Sequence, residues 1–193
     1  MSTLRERNRQ RTRAEIAEAA LGLFEEKGYE AVTVDQIAGV AGVSSATFFR
    51  YFKAKEDVLF THEDEAAEEL VARVRARKDR SRTVAALAAP VVDYADSLTD
   101  GSVPRLTRLV MSTRTLEARS LRIRLGWEHA VALELAREAG RPHPGLDETT
   151  TAAIAVSCLT SALRHWDYTS GELGSLTATA FRRCGGPDEA TAA

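Results

Sequence analysis

Along residues 33–52, TVDQIAGVAGVSSATFFRYF, apolar positions recur at helical spacing as Val34, Ile37, Ala38 and Ala41. After a break at Gly42 the spacing resumes, and Phe48 and Phe52 face inward one turn apart. Thr33 and Gln36 have the separation of a capping box, in which side chain and backbone satisfy each other's orphan groups. Ser44 can cap the second segment, with Val43 and Phe48 placed as a hydrophobic staple. Two short helices joined by a tight turn are the expected result: a helix-turn-helix whose second helix fits a DNA major groove.

Upstream, Ile16, Ala20, Leu23 and Phe24 form one apolar stripe. Gly28 ends that helix, with Phe24 and Tyr29 set for the contact of a Schellman motif. Downstream the pattern predicts helices near 55–79, 83–99, 104–113, 115–139, 148–170 and 175–184. Gly/Pro-containing stretches at 100–104, 140–145 and 171–174 separate them, and strand alternation is absent. The chain is therefore expected to be all-α, with a small polar tail at 185–193 that frays.

Composition changes this picture little. With 193 residues and 44% hydrophobic content the chain can bury an ordinary core. Charged residues interrupt every apolar run before it could span a bilayer, and no apolar segment follows the N-terminal arginines as in a secretory signal. A cytoplasmic location is expected, and the two cysteines, Cys158 and Cys184, read as reduced thiols.

Charge matters more once it is localised. The net charge of −2 argues against nucleic-acid binding only until the ends are separated. Arg5, Arg7, Arg9, Arg11 and Arg13 are opposed only by Glu6, while Glu63, Asp64, Glu65, Glu68 and Glu69 form an acidic block after the reader. The basic arm reads either as a solvated flexible tail over 1–10 or as a DNA-contacting one.

Residues 11–60, and above all ALGLFEEKGYEAVTVDQIAGVAGVSSATFFRYFKAKEDVL, resemble the DNA-binding domain of the TetR family of bacterial transcriptional regulators. The resemblance implies a DNA-binding helix-turn-helix domain over 1–54 and a helical ligand-binding and dimerisation domain over 55–184. It implies a homodimeric repressor released from a palindromic double-stranded DNA operator by a small-molecule effector, with no cofactor. Carried over by position, Ser45 and Thr47 reach base edges and Arg50 can donate to guanine O6 and N7. Tyr51 and Lys55 match phosphate contacts, and Thr33, Gln36 and Ser44 sit at helix starts where capping and phosphate contact are alternatives. Phe49 replaces a common Tyr, and Ala54 replaces a capping Ser or Asn.

For the second domain the resemblance implies pairing of the last two helices with a second copy. The stripe Ala155, Leu159, Ala162 and Trp166, joined by Leu176 and Phe181, is expected at that interface; Ile154, Cys158, Ser161 and His165 form a neighbouring stripe. Tyr94, Arg108, Met111, Trp127, His129 and Cys158 are candidates for an effector pocket, each also readable as core. The arginines Arg105, Arg108, Arg114, Arg119, Arg122 and Arg124 face only Glu117, either as a solvated face or as an attraction for an anionic, amphipathic ligand. ATFFRYFKAKEDVLF and Trp127-Glu128 are similar to the mycofactocin-associated subgroup, which implies an acyl-coenzyme-A-like ligand.

Two other classes compete. A helical protein-interaction adaptor has the same helices, and an enzyme needs a catalytic constellation that is missing. No Cys-x-x-Cys, His-Glu-x-x-His or phosphate-binding Gly loop occurs, and His62-Glu63-Asp64-Glu65 cannot converge from consecutive helical positions. Neither metal nor catalytic residues are expected.

Overall fold

The computed structural model describes residues 4–61, 63–99, 103–166 and 172–184. Among them are nine α-helices, α1 (Leu4–Lys27), α2 (Val34–Val40), α3 (Ser45–Tyr51), α4 (Glu63–Ala76), α5 (Val84–Ser97), α6 (Val103–Ser112), α7 (Arg114–Glu138), α8 (Leu146–His165) and α9 (Leu173–Cys184). A 3₁₀ helix, Lys55–Leu59, links α3 to α4. The described residues contain no strand and no helix long and apolar enough to cross a membrane. The expected tail at 185–193, the Asp100-Gly101-Ser102 break, Gly171 and His62 lie outside the described residues.

The expected flexible arm over 1–10 is instead helical from Leu4. Arg, Glu and Gln are good helix formers, and Arg11 pairs with Glu15 one turn on at 2.8 Å. The N-terminal arginines thus ride on the exposed first turns of α1. Gly28 ends α1 at φ +81, where its N–H donates to Phe24 at 2.9 Å and the Phe24 and Tyr29 rings lie 5.1 Å apart. That is the one-bond αL ending rather than the two-bond Schellman motif predicted.

Two apolar cores divide the helices. Ile16, Phe24, Ile37, Phe48, Phe52 and Leu59 anchor the first, and Leu109, Val110 and Leu116 from α6 and α7 complete it. The N-terminal core therefore continues past residue 54 into the helices that follow. The second core gathers α4, α5, the latter half of α7, α8 and α9 around Leu70, Leu87, Tyr94, Leu135, Leu159 and Phe181. Where α9 packs on α5, a Cβ at Gly174 would meet the exposed Asp96 carboxylate, which would have to turn aside.

This second core corrects the expected dimer interface. Ala155, Leu159, Ala162, Trp166 and Phe181 are buried within one chain, and Leu176 packs against the same cluster. A helix apolar on two sides has two candidate inner faces, and periodicity alone does not rank them. Here α5, α7 and α9 all pack on α8 and take the larger side chains.

At the far end of α7, arginines secure buried carboxylates. Glu134 accepts from Arg137 and Arg75, and those guanidiniums pull its carboxyl down to about 2. Arg77 and Arg80 both donate to Glu138.

Candidate nucleic-acid interface and ligand cavity

The reader is built by its caps. Thr33 Oγ1 accepts from the Gln36 N–H at 3.3 Å, and Gln36 Oε1 accepts from the Thr33 N–H at 2.9 Å. At the other end of α2, Gly42 adopts φ +67. Its N–H donates to Gly39 at 3.2 Å and that of Val43 to Ala38 at 2.9 Å, a Schellman ending. Ser44 Oγ then accepts from the Thr47 N–H at 3.1 Å and opens α3. Thr33 and Ser44 are thus structural caps in the free protein.

Other predicted contacts separate on inspection. The Ser45 hydroxyl donates to Asp35, which ties α3 to α2, and the Thr47 and Ser44 hydroxyls lie 3.0 Å apart. Phe48 and Phe52 are buried, whereas Ala46, Phe49 and Arg50 share the exposed side of α3. Arg50 stacks on the Tyr51 ring at 5.4 Å. Phe49 is 56% exposed and stands on the outer side of α3. Arg13, the last arginine of the basic arm, sets its guanidinium 5.6 Å from the Phe52 ring centre and brings α1 charge beside the reader.

Lys55 departs from its expected role. Its Nζ donates to the Tyr29 and Val32 carbonyls at 2.8 and 3.1 Å and lies 4.1 Å from the Tyr29 ring centre. In the free protein the part-buried ammonium therefore braces the loop between α1 and α2. Tyr29 in turn donates to Glu56 at 3.1 Å, and burial followed by that carboxylate pushes its hydroxyl pKa up. Ala54 provides no side-chain cap, as expected, but Asp57 accepts from the Ala54 N–H at 3.0 Å.

Between the two cores lies a cavity of about 850 Å³. Its wall includes Ala14 and Leu21 of α1, Val110 of α6, Leu121 of α7 and Leu163 of α8. Of the six predicted pocket residues, Tyr94, Met111 and Trp127 line it, with Tyr94 and Trp127 edge-to-face at 6.0 Å. Arg108 and His129 are exposed and do not line it. His129 follows Trp127 by two residues, a turn of roughly 200° around the helix. Cys158 is buried toward α9, its sulfur 3.6 Å from that of Cys184.

The arginine run divides as well. Arg114 and Arg124 line the cavity together with Arg164 of α8. Arg124 lies 3.4 Å from Glu128, and the Trp127 indole N–H is buried without a hydrogen-bond partner. Arg119 leans toward Asp57 at 3.8 Å, while Arg105 grips Glu18 and Glu25 of α1 at 2.7 and 2.6 Å. Hydrogen bonding from Arg105 holds the Glu25 carboxyl below its usual range. Neither the Arg105 clamp nor the participation of α1 in the cavity wall has a local sequence signal, since both join residues about eighty positions apart.

Comparisons with known proteins agree with this geometry. Residues 16–61 match the family model described as bacterial regulatory proteins, tetR family. MftR of Mycobacterium tuberculosis, a transcriptional regulator named for mycofactocin biosynthesis, is 28% identical over 167 residues, which span 83% of this chain and 82% of that one. The fatty acid metabolism regulator protein of Bacillus subtilis is 31% identical over 107 residues, 54% of this chain and 55% of that one. In fold, Thermus thermophilus FadR, a TetR-family repressor solved with lauroyl-CoA, aligns at a TM-score of 0.58 and 22% identity over 94% of this chain and 98% of that one. A capped helix-turn-helix inside the matched segment, on a chain similar through most of its length to MftR, marks residues 16–61 as a DNA-binding domain of the TetR type and supports a DNA-binding transcriptional regulator.

Proposed function

We propose that the protein is a cytoplasmic homodimeric repressor, not a catalyst, that leaves its operator when an amphipathic anion fills the cavity between its two cores. The observation that carries this reading is the position of that cavity, whose wall draws on both α1 and α6. Filling it moves α6 against α1, and the Arg105 clamp onto Glu18 and Glu25 passes that movement to the helix supporting the reader. Only a ligand that binds the DNA-incompetent arrangement better shifts the equilibrium. Apolar walls suit an acyl tail, at roughly 25 cal/mol per Å² buried. Arg114, Arg124 and Arg164 suit its charged head, and the unpaired Trp127 N–H suits a carbonyl oxygen. The fatty acid metabolism regulator among the relatives and the lauroyl-CoA bound to the structural neighbour support the same ligand class.

In this reading α3 presents Arg50 to guanine and Phe49 to a thymine methyl, and Tyr51 is available to a phosphate. The dimer forms through the outer side of α8, where Ala153, Ile154, Ser157 and Ser161 leave room for a second helix, flanked by Ala178 and Thr179 of α9. Two copies then set their readers about 34–36 Å apart, or at a multiple of that spacing.

Lauroyl-coenzyme A, dodecanoate and naphthalene form a discriminating panel. At a hundredfold excess over its Kd, lauroyl-coenzyme A is expected to raise Tm by roughly 5–10 °C and to weaken DNA binding in a fluorescence-anisotropy titration. Stabilisation by naphthalene alone, or stabilisation by lauroyl-coenzyme A with unchanged DNA affinity, contradicts the proposed effector.

A further inference from the structure

The chain contains only two cysteines, 26 positions apart and on different helices. Folding brings them together: Cys158 lies mid-way along α8, Cys184 ends α9, and their sulfurs are 3.6 Å apart. One thiol is buried and the other exposed, although both are free. Neither lines the cavity nor belongs to the reader.

We propose that Cys158 and Cys184 form a thiol–disulfide modification site, oxidised by hydroperoxides, that covalently fastens α9 to α8. The exposed member acts first, because an oxidant reaches it without disturbing the core. Cys184 thiolate attacks the O–O bond of a hydroperoxide, forming a sulfenic acid and releasing water or an alcohol. The Cys158 sulfur, having given up its proton, then attacks the sulfenic sulfur. The S–S bond forms as the S–O bond breaks, and the departing hydroxide takes that proton to become water. Overall the two thiols lose two electrons and two protons, which reduce the peroxide bond.

Geometry favours the second step. Closing a 3.6 Å contact to a bond of about 2.05 Å moves the sulfurs roughly 1.5 Å, within reach of side-chain rotation. Burial, together with the neighbouring Cys184 sulfur, pushes the Cys158 thiol pKa up, which makes it the poorer first target for the oxidant; the second step draws on the proximity of the two sulfurs. The bond closes a 26-residue separation containing the α8–α9 connection, so it removes freedom mainly from the unfolded chain. It makes attachment of the last helix dependent on redox state.

The test treats the full chain with hydrogen peroxide and maps its thiols by mass spectrometry with and without dithiothreitol. An intrachain Cys158–Cys184 disulfide that dithiothreitol reverses is expected, with Tm raised on the order of 10 °C in the oxidised form. Cys158→Ser should accumulate a sulfenic acid at Cys184 that dimedone traps, whereas Cys184→Ser should leave Cys158 unmodified at the same peroxide dose. Wild-type protein that keeps both thiols, links two chains through Cys184, or proceeds to sulfinic acid without forming the internal bond overturns the proposal. The wild-type map decides the matter even where a serine variant folds poorly.

Discussion

Leu159→Arg is expected to leave no folded protein, rather than a folded monomer. Leu159 has no exposed surface and sits among α5, α8 and α9. Losing its packing costs about 2–5 kcal/mol, and an unpaired guanidinium in the same space costs several more. Together these rival a typical domain stability of about 5–15 kcal/mol. Ser157→Arg is the informative companion, because Ser157 lies on the outer side of α8 and an arginine there can reach water. It should keep a helical circular-dichroism spectrum and sediment as a monomer where wild type sediments as a dimer. A folded monomeric Leu159→Arg would return the interface to the stripe read from the sequence. A dimeric Ser157→Arg would remove the outer-face interface.

Arg50→Ala is expected to cost about 1–3 kcal/mol of specific DNA binding, roughly 5- to 150-fold in Kd, and to relax preference at one base pair. Arg50 is exposed on α3 and stacked on Tyr51, which orients a guanidinium outward without burying it. Its removal should leave the denaturation midpoint unchanged, because no core contact is lost. Lys55→Ala should show the opposite signature. Its ammonium bridges the Tyr29 and Val32 carbonyls, so the midpoint falls and DNA affinity follows only through the weakened fold. If Lys55→Ala lowers the salt slope of DNA binding with no change in the midpoint, the lysine contacts phosphate after all.

What was legible in the sequence was what depends on neighbours. The Thr33–Gln36 box, the Gly42 turn and the Ser44 cap each act within a few residues, and each is found as read. Helix existence was equally local. Which face of α8 turns inward depends on three other helices, and the stripe chosen for the dimer proved to be monomer core. Lys55 was matched to a phosphate contact by its position in the family resemblance; only the fold shows two carbonyls within its reach. Half of the pocket candidates converge because aromatic and Met side chains on facing helices tend to meet. Arg108, His129 and Cys158 were chosen by residue type and lie at other angles on their helices.

DNA recognition is tested most directly by a salt-titrated binding isotherm, using DNA from upstream of the protein's own coding sequence and a shuffled duplex of equal length. Specific binding tighter than non-specific by about 10³-fold or more is expected, with log Kd rising linearly and steeply with log salt as arginine-bound phosphates regain their counterions. Equal affinity for the two duplexes, with a flat salt dependence, would contradict DNA reading by this chain.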